Sequence, residues 1–143
     1  MTGRKIDSHF TASPQITPEQ VREIAAEGFT TLVCNRPDGE EADQPRSSDV
    51  RAAAKAAGMR WEFIPVTSAG FSGNQVEAMA GALEQSSGPV FAYCRSGTRS
   101  TNLWALAKAS QGGDPETLTK AAAQGGYDLA GIRPLLDALS GKA

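Results

Sequence analysis

The stretch from Pro89 to Ser100 constrains the fold more than any other part of this chain. Pro89-Val90-Phe91-Ala92-Tyr93 is an apolar run of strand length that follows Gly88. It passes without a spacer into Cys94-Arg95-Ser96-Gly97-Thr98-Arg99-Ser100. After Arg99 a helix is predicted, with Leu103, Leu106 and Ala107 at helical spacing. A buried strand that turns through a short polar loop into a helix is half of a parallel-sheet crossover unit.

The rest of the chain supplies further such units. Thr17-Pro18-Glu19-Gln20 opens a helix with a cap, a proline suited to the first turn and a Gln able to close a capping box. Val21, Ile24 and Ala25 form its buried face, and Gly28 ends it. Thr30–Cys34 reads as a short buried strand, 35–46 as a loop and Ser48–Ala57 as an Ala-rich helix stopped by Gly58. Arg60–Val66 is the next strand, with Trp61, Phe63 and Pro65 on one face and Glu62 and Ile64 on the other. Ser72 and Gln75 repeat the capping-box spacing ahead of Val76, Met79, Ala80 and Leu83. Asp114-Pro115 opens a helix closed by Gly125-Gly126, and a last helix carries Leu135, Leu136 and Leu139. Alternating strands and helices predict one α/β domain over residues 1–143, a three-layer α/β/α sandwich on a mainly parallel sheet of four or five strands. Ligands bind beyond the carboxyl ends of such strands, here the loops after Cys34 and after Tyr93.

Composition narrows the chemistry. With 14 Lys plus Arg against 16 Asp plus Glu among 143 residues, and no Lys/Arg run, neither nucleic acid nor a membrane surface is an expected partner. One His and two Cys exclude a four-Cys zinc site, and no metal or cofactor is expected. No apolar stretch approaches the ~20 residues of a membrane span, and Met1–Phe10 is polar and unlike a signal sequence. A cytoplasmic location with free thiols is therefore the expectation.

The loop after Tyr93 has the parts of a thiolate site. A free Cys, with a pKa of about 8.5, needs positive surroundings to act as a nucleophile at neutral pH. Backbone amides between residues 95 and 99, aided by Gly97, can point inward at the end of a helix. Arg99 offers a planar fork to an oxyanion, Arg95 a rim charge for anionic substrates, and Ser100 a hydroxyl that can donate to the Cys94 sulfur. Cys94, Arg99 and Ser100 are thus the candidate catalytic residues, with Arg95, Ser96, Gly97 and Thr98 binding substrate. Asp38, in Pro37-Asp38-Gly39-Glu40, is the one acid placed to substitute as a proton donor, against the plain alternative of an acidic turn.

The Cys94–Ser100 run resembles the active-site loop of single-domain rhodaneses, which are sulfurtransferases. The wider chain, from about Gln15 to Leu136, resembles the bacterial family called beta-lactamase hydrolase-like protein, phosphatase-like domain. The resemblance is carried by Gln15-Ile16-Thr17, Asn35–Glu41, Ile64-Pro65-Val66, Ala92–Ala107 and Gly126-Tyr127-Asp128-Leu129. It implies a scaffold similar to the dual-specificity phosphatases, and members of the family it resembles are described both as phosphatases and as sulfur transferases. Cysteine phosphatases resemble one another in having five residues between Cys and Arg, and rhodaneses in having four. This chain has Arg95, Ser96, Gly97 and Thr98.

That spacing, the absence of an acid in Thr67–Gly73 and Tyr93 in place of the His before a phosphatase Cys predict a sulfurtransferase. In that expectation Cys94 takes sulfane sulfur from thiosulfate or a persulfide and passes it to a thiol, sulfite or cyanide. The alternatives are a cysteine phosphatase acting on a phosphate ester and a non-catalytic oxyanion-binding module. A persulfide dioxygenase or a thiol acceptor is the partner implied by the resemblance. Cys34 is either a resolving thiol for Cys94 or a buried apolar residue, and Trp61 and Trp104 are expected to pack.

Overall fold

The structure is a computed structural model that describes residues 3–141. Met1, Thr2, Lys142 and Ala143, which the one-domain expectation includes, lie outside the described residues, as do the first two positions of the polar N-terminus. Among the described residues five strands form one mixed sheet: β1 (Arg4–Lys5), β2 (Phe10–Ser13), β3 (Thr31–Cys34), β4 (Arg60–Phe63) and β5 (Val90–Tyr93), in the order β1-β2-β5-β3-β4. All pairs are parallel except β1 on β2. Six α-helices within the described residues accompany it: α1 (Val21–Ala26), α2 (Ser47–Ala56), α3 (Gly73–Gln85), α4 (Thr98–Ser110), α5 (Pro115–Gln124) and α6 (Arg133–Ser140).

Strand alternation divides the interior into two cores. Leu32, Cys34, Phe91 and Tyr93 face one way, against Ile24, Val50 and Ala54 from α1 and α2. Val33, Val90 and Ala92 face the other, against Met79 and Leu83 of α3, Leu103 and Trp104 of α4, and Leu136 of α6. Trp104 stacks on Phe10 with ring centroids 5.6 Å apart. β5 sits between β2 and β3, so the strand that leads to Cys94 is paired on both edges.

The capping boxes form as the sequence predicts, Thr17 with Gln20 and Ser72 with Gln75. Strand β2 is absent from the sequence reading, because Phe-Thr-Ala-Ser has neither a β-branched run nor a turn signal of its own. Its order comes from pairing with β5. The expected strand Arg60–Val66 ends early, at Phe63, although Ile64 N–H still donates to Cys34 C=O and Val66 N–H to Asn35 C=O. Phe63 shares a face with Trp61 as predicted but is 44% exposed, while Ile64 is buried. β4 is an edge strand, and the helical cover over Trp61 does not extend to its end. No helix among the described residues is long and apolar enough to cross a membrane.

Candidate active site

Cys94 follows β5 directly, is fully buried and still belongs to the ladder, its N–H donating to Ser13 C=O at 3.3 Å. The chain then turns through Arg95-Ser96-Gly97 into α4, with Gly97 as the residue before the first helical turn at φ 95°. A left-handed φ at that point favours glycine. Gly97 N–H donates to Cys94 Sγ at 3.1 Å, so the loop aims an amide at the sulfur. Thr98 and Arg99 lie within the first turn of α4 rather than before the helix, where the helix dipole adds positive potential.

Arg99 is fixed from outside the loop. Its Nη1 donates to Glu40 Oε2 and to Val66 C=O, each at 2.7 Å, and its Nη2 donates to Glu40 Oε1 at 2.8 Å. This end-on pairing uses the two terminal nitrogens and leaves the Nε edge out of the ion pair, and the guanidinium lies within electrostatic reach of Cys94. Glu40 is itself held by Arg36, whose Nε donates to Oε1 at 2.9 Å. Arg36 is buried, and its other nitrogens donate to Gln15 Oε1 and Glu41 Oε1. Glu41 in turn meets the exposed Arg95 at 3.2 Å. The bond from Arg99, aided by Arg36, holds the Glu40 carboxyl down to about 2, and the same contact raises Arg99.

The other expected residues are placed as follows. Ser96 and Thr98 are exposed on the loop, with Ser96 Oγ donating to Thr98 Oγ1 at 3.0 Å. Ser100 is fully buried but does not donate to Cys94: its Oγ has no hydrogen-bond partner, and the Gly97 amide takes that place. Asp38 is not presented to the cysteine loop. Its two carboxylate oxygens accept from Ser47 N–H at 2.7 Å and Ser47 Oγ at 2.6 Å, which caps α2. Cys34 pairs in register with Tyr93, donates to Arg36 C=O at 3.3 Å, and is raised by burial to about 11. Strand alternation points Cys34 and Tyr93 into one core and turns Cys94 from it, and both cysteines are free.

Two residues outside the expected set join the site. Arg36 and Glu40 stand four positions apart, the spacing of an ion pair on a turn, which was the available sequence signal. Among the described residues no three His, Cys, Asp or Glu side chains converge as metal ligands.

A parallel sheet whose central strand delivers a cysteine to an amide loop, with an arginine on the following helix, defines a cysteine-phosphatase-like α/β protein. The family described as beta-lactamase hydrolase-like protein, phosphatase-like domain, matches residues 3–111, and the chain belongs to it. It is 35% identical over 112 residues to the beta-lactamase hydrolase-like protein of Agrobacterium fabrum, covering 78% of this chain and 26% of that one. The chain thus spans about a quarter of the length of the curated relatives it matches. A Neisseria meningitidis protein described as a candidate phosphatase is similar at a TM-score of 0.83 and 34% identity, over 97% of this chain and 99% of that one. The fold is also that of Tk-PTP in its active form, at a TM-score of 0.74 and 16% identity over 99% and 98% of the two chains.

Proposed function

We propose that the chain is a cysteine-dependent phosphatase for small phosphate esters whose leaving group departs without a proton. The observation that supports it most is the pairing of the Gly97 amide on Cys94 Sγ with an Arg99 whose Nε edge is left out of the ion pair. The likeness to a 34%-identical candidate phosphatase supports phosphate chemistry more than the sulfur transfer expected from loop length. In the reaction the Cys94 thiolate attacks phosphorus, the P–O bond to the leaving group breaks, and the departing oxygen keeps the electron pair. Arg99 and the loop amides bear the charge on the transferred group. Water then cleaves the S–P bond, releasing phosphate and the thiol.

The restriction to good leaving groups follows from the acids. Glu40 stays ionised against Arg99, and both oxygens of Asp38 are engaged by Ser47, so neither offers a proton.

Sulfur transfer is the second reading, favoured by the four-residue spacing and by the same lack of an uncommitted acid. There Cys94 attacks the outer sulfur of thiosulfate, the S–S bond breaks and sulfite leaves with the electron pair. A thiol acceptor or a persulfide dioxygenase would then collect the sulfur. Free Cys34 and Cys94 suit a reducing, cytoplasmic setting for either reaction.

Parallel assays decide between them, with Cys94→Ser as the blank. Release of phosphate from aryl phosphates, steeply slower for alkyl esters, is the expected outcome. Sulfite release from thiosulfate with an adduct of about 32 Da on Cys94, and no phosphate release, overturns it. Anion binding without either turnover identifies a binding module.

A further inference from the structure

Tyr127 stands between α5 and α6, beyond residues 3–111 that match the family, yet it touches the cysteine loop. Its hydroxyl donates to Ser96 C=O at 3.0 Å. The N–H of the same peptide unit is that of Gly97, which donates to Cys94 Sγ at 3.1 Å. One rigid plane is therefore held at its oxygen by the phenol and presents its hydrogen to the nucleophile. A trans peptide keeps N–H and C=O antiparallel, so a bond that orients the oxygen also orients the hydrogen, and it polarises the donor.

A second observation points to the same contact. A Cβ at Gly97 would collide with the Tyr127 hydroxyl and lie 3.3 Å from the Ser13 carbonyl carbon. Glycine is required there by the phenol's approach as well as by its φ of 95°. The approach is anchored at the other end, where Tyr127 N–H donates to Ala122 C=O at 2.9 Å beside the Gly125-Gly126 turn. The Tyr127 ring is half-buried, and its hydroxyl is within electrostatic reach of Cys94 and of Arg4.

We propose that Tyr127 is a positioning residue, setting the Ser96–Gly97 peptide so that its N–H engages the Cys94 sulfur. It acts through the loop and not on the substrate, so the assignment holds for phosphoryl and for sulfur transfer alike. It rests only on Cys94 as the nucleophile.

Tyr127→Phe keeps the ring and removes the donor. Two substrate-independent readouts test it in the full chain: the rate of Cys94 alkylation by iodoacetamide, located by peptide mass spectrometry, and the Gly97 amide resonance. The expected result is a roughly three- to tenfold slower alkylation, the size of one lost hydrogen bond, with kcat falling by a similar factor and KM little changed. The Gly97 amide resonance should move in Tyr127→Phe and, from the other end of the same bond, in Cys94→Ser. Should Tyr127→Phe fold poorly, Tyr127→His, which keeps a ring nitrogen donor, should restore alkylation relative to Tyr127→Leu. Unchanged alkylation and an unmoved Gly97 resonance in folded Tyr127→Phe overturn the proposal. A reactive Cys94 that turns over no phosphate ester overturns only the phosphatase reading.

Discussion

Glu40 grips Arg99 end-on, with both carboxylate oxygens between 2.7 and 2.8 Å from the two terminal guanidinium nitrogens. The pair joins the loop after β3 to the first turn of α4, and so joins the two strand-end loops of the sheet. Bidentate pairs fix orientation as well as charge. Val66 C=O and Arg36 complete the hold, so Arg99 has little freedom to swing away from the cysteine.

Glu40→Gln should therefore lower turnover by roughly 10- to 100-fold through a misaimed Arg99, in line with the cost of small displacements in catalytic groups. Steady-state kinetics on an aryl phosphate are the check, and an unaltered kcat refutes the positioning role of Glu40.

The same pair has a pH signature. Folded Glu40 keeps its charge down to about 2, against 4.5 for an unperturbed Glu, so between those values the unfolded chain binds the extra proton. The stabilisation is complete above about 4.5 and is lost as pH falls towards about 2. Urea melts across that range should show a shallower acid-side decline in Glu40→Gln than in the parent chain, and parallel curves would contradict the assignment.

The two cysteines should separate cleanly. Cys94→Ser is expected to reduce activity by roughly 10³-fold or more, as loss of a nucleophile does, while Cys34→Ser leaves it within about twofold. With Cys34 raised to about 11 by burial, alkylation of the native protein near pH 7 should mark Cys94 well before Cys34. Preferential labelling of Cys34 would reverse the assignment.

Asp38→Ala tests the distinction between capping and catalysis. Losing the two contacts to Ser47 at the start of α2 should cost about 1 kcal/mol of stability, a typical value for a helix cap. Activity at a temperature where the protein is fully folded should stay within about twofold. A tenfold loss of kcat with unchanged stability would restore Asp38 as a proton donor.

Gly97→Ala meets a left-handed φ and the Tyr127 hydroxyl at once, and destabilisation on the order of 1–3 kcal/mol is expected. Adding Tyr127→Ala should recover the steric part but not the backbone part. Full additivity of the two changes in thermal melts would show that the side chains do not meet.

The local signals in the sequence were sufficient for α4, for both capping boxes and for the strand that ends at Cys94. Each of these is written in contiguous residues, as caps, periodicity or a glycine at a forced turn. Strand β2 was not legible, since Phe10–Ser13 becomes a strand only through its pairing with Val90–Tyr93, far along the chain. In the site, Cys94, Gly97 and Arg99 could be read because they share one loop. Glu40 and Tyr127 could not be given roles, because only folding brings the loop after β3 and the segment after α5 to that loop. The expected bond from Ser100 failed on a finer scale: helix α4 starts at Thr98, ahead of the expected start after Arg99, Ser100 Oγ is buried without a partner, and it is the Gly97 amide that donates to the sulfur.

Helix α4 is buried along most of its length, from Ser100 and Thr101 through Leu103–Ala107 to Ala109. A helix packed on all sides cannot tilt or slide without disturbing both its neighbours and the sheet. The half of the site that α4 carries therefore behaves as a fixed anvil. Any breathing that admits a molecule to the fully buried Cys94 must come from the exposed side, where Glu41 and Arg95 form a charged latch. Such latches weaken in salt, so the ionic strength of the medium should set how fast the door opens while leaving the hammer stroke unchanged.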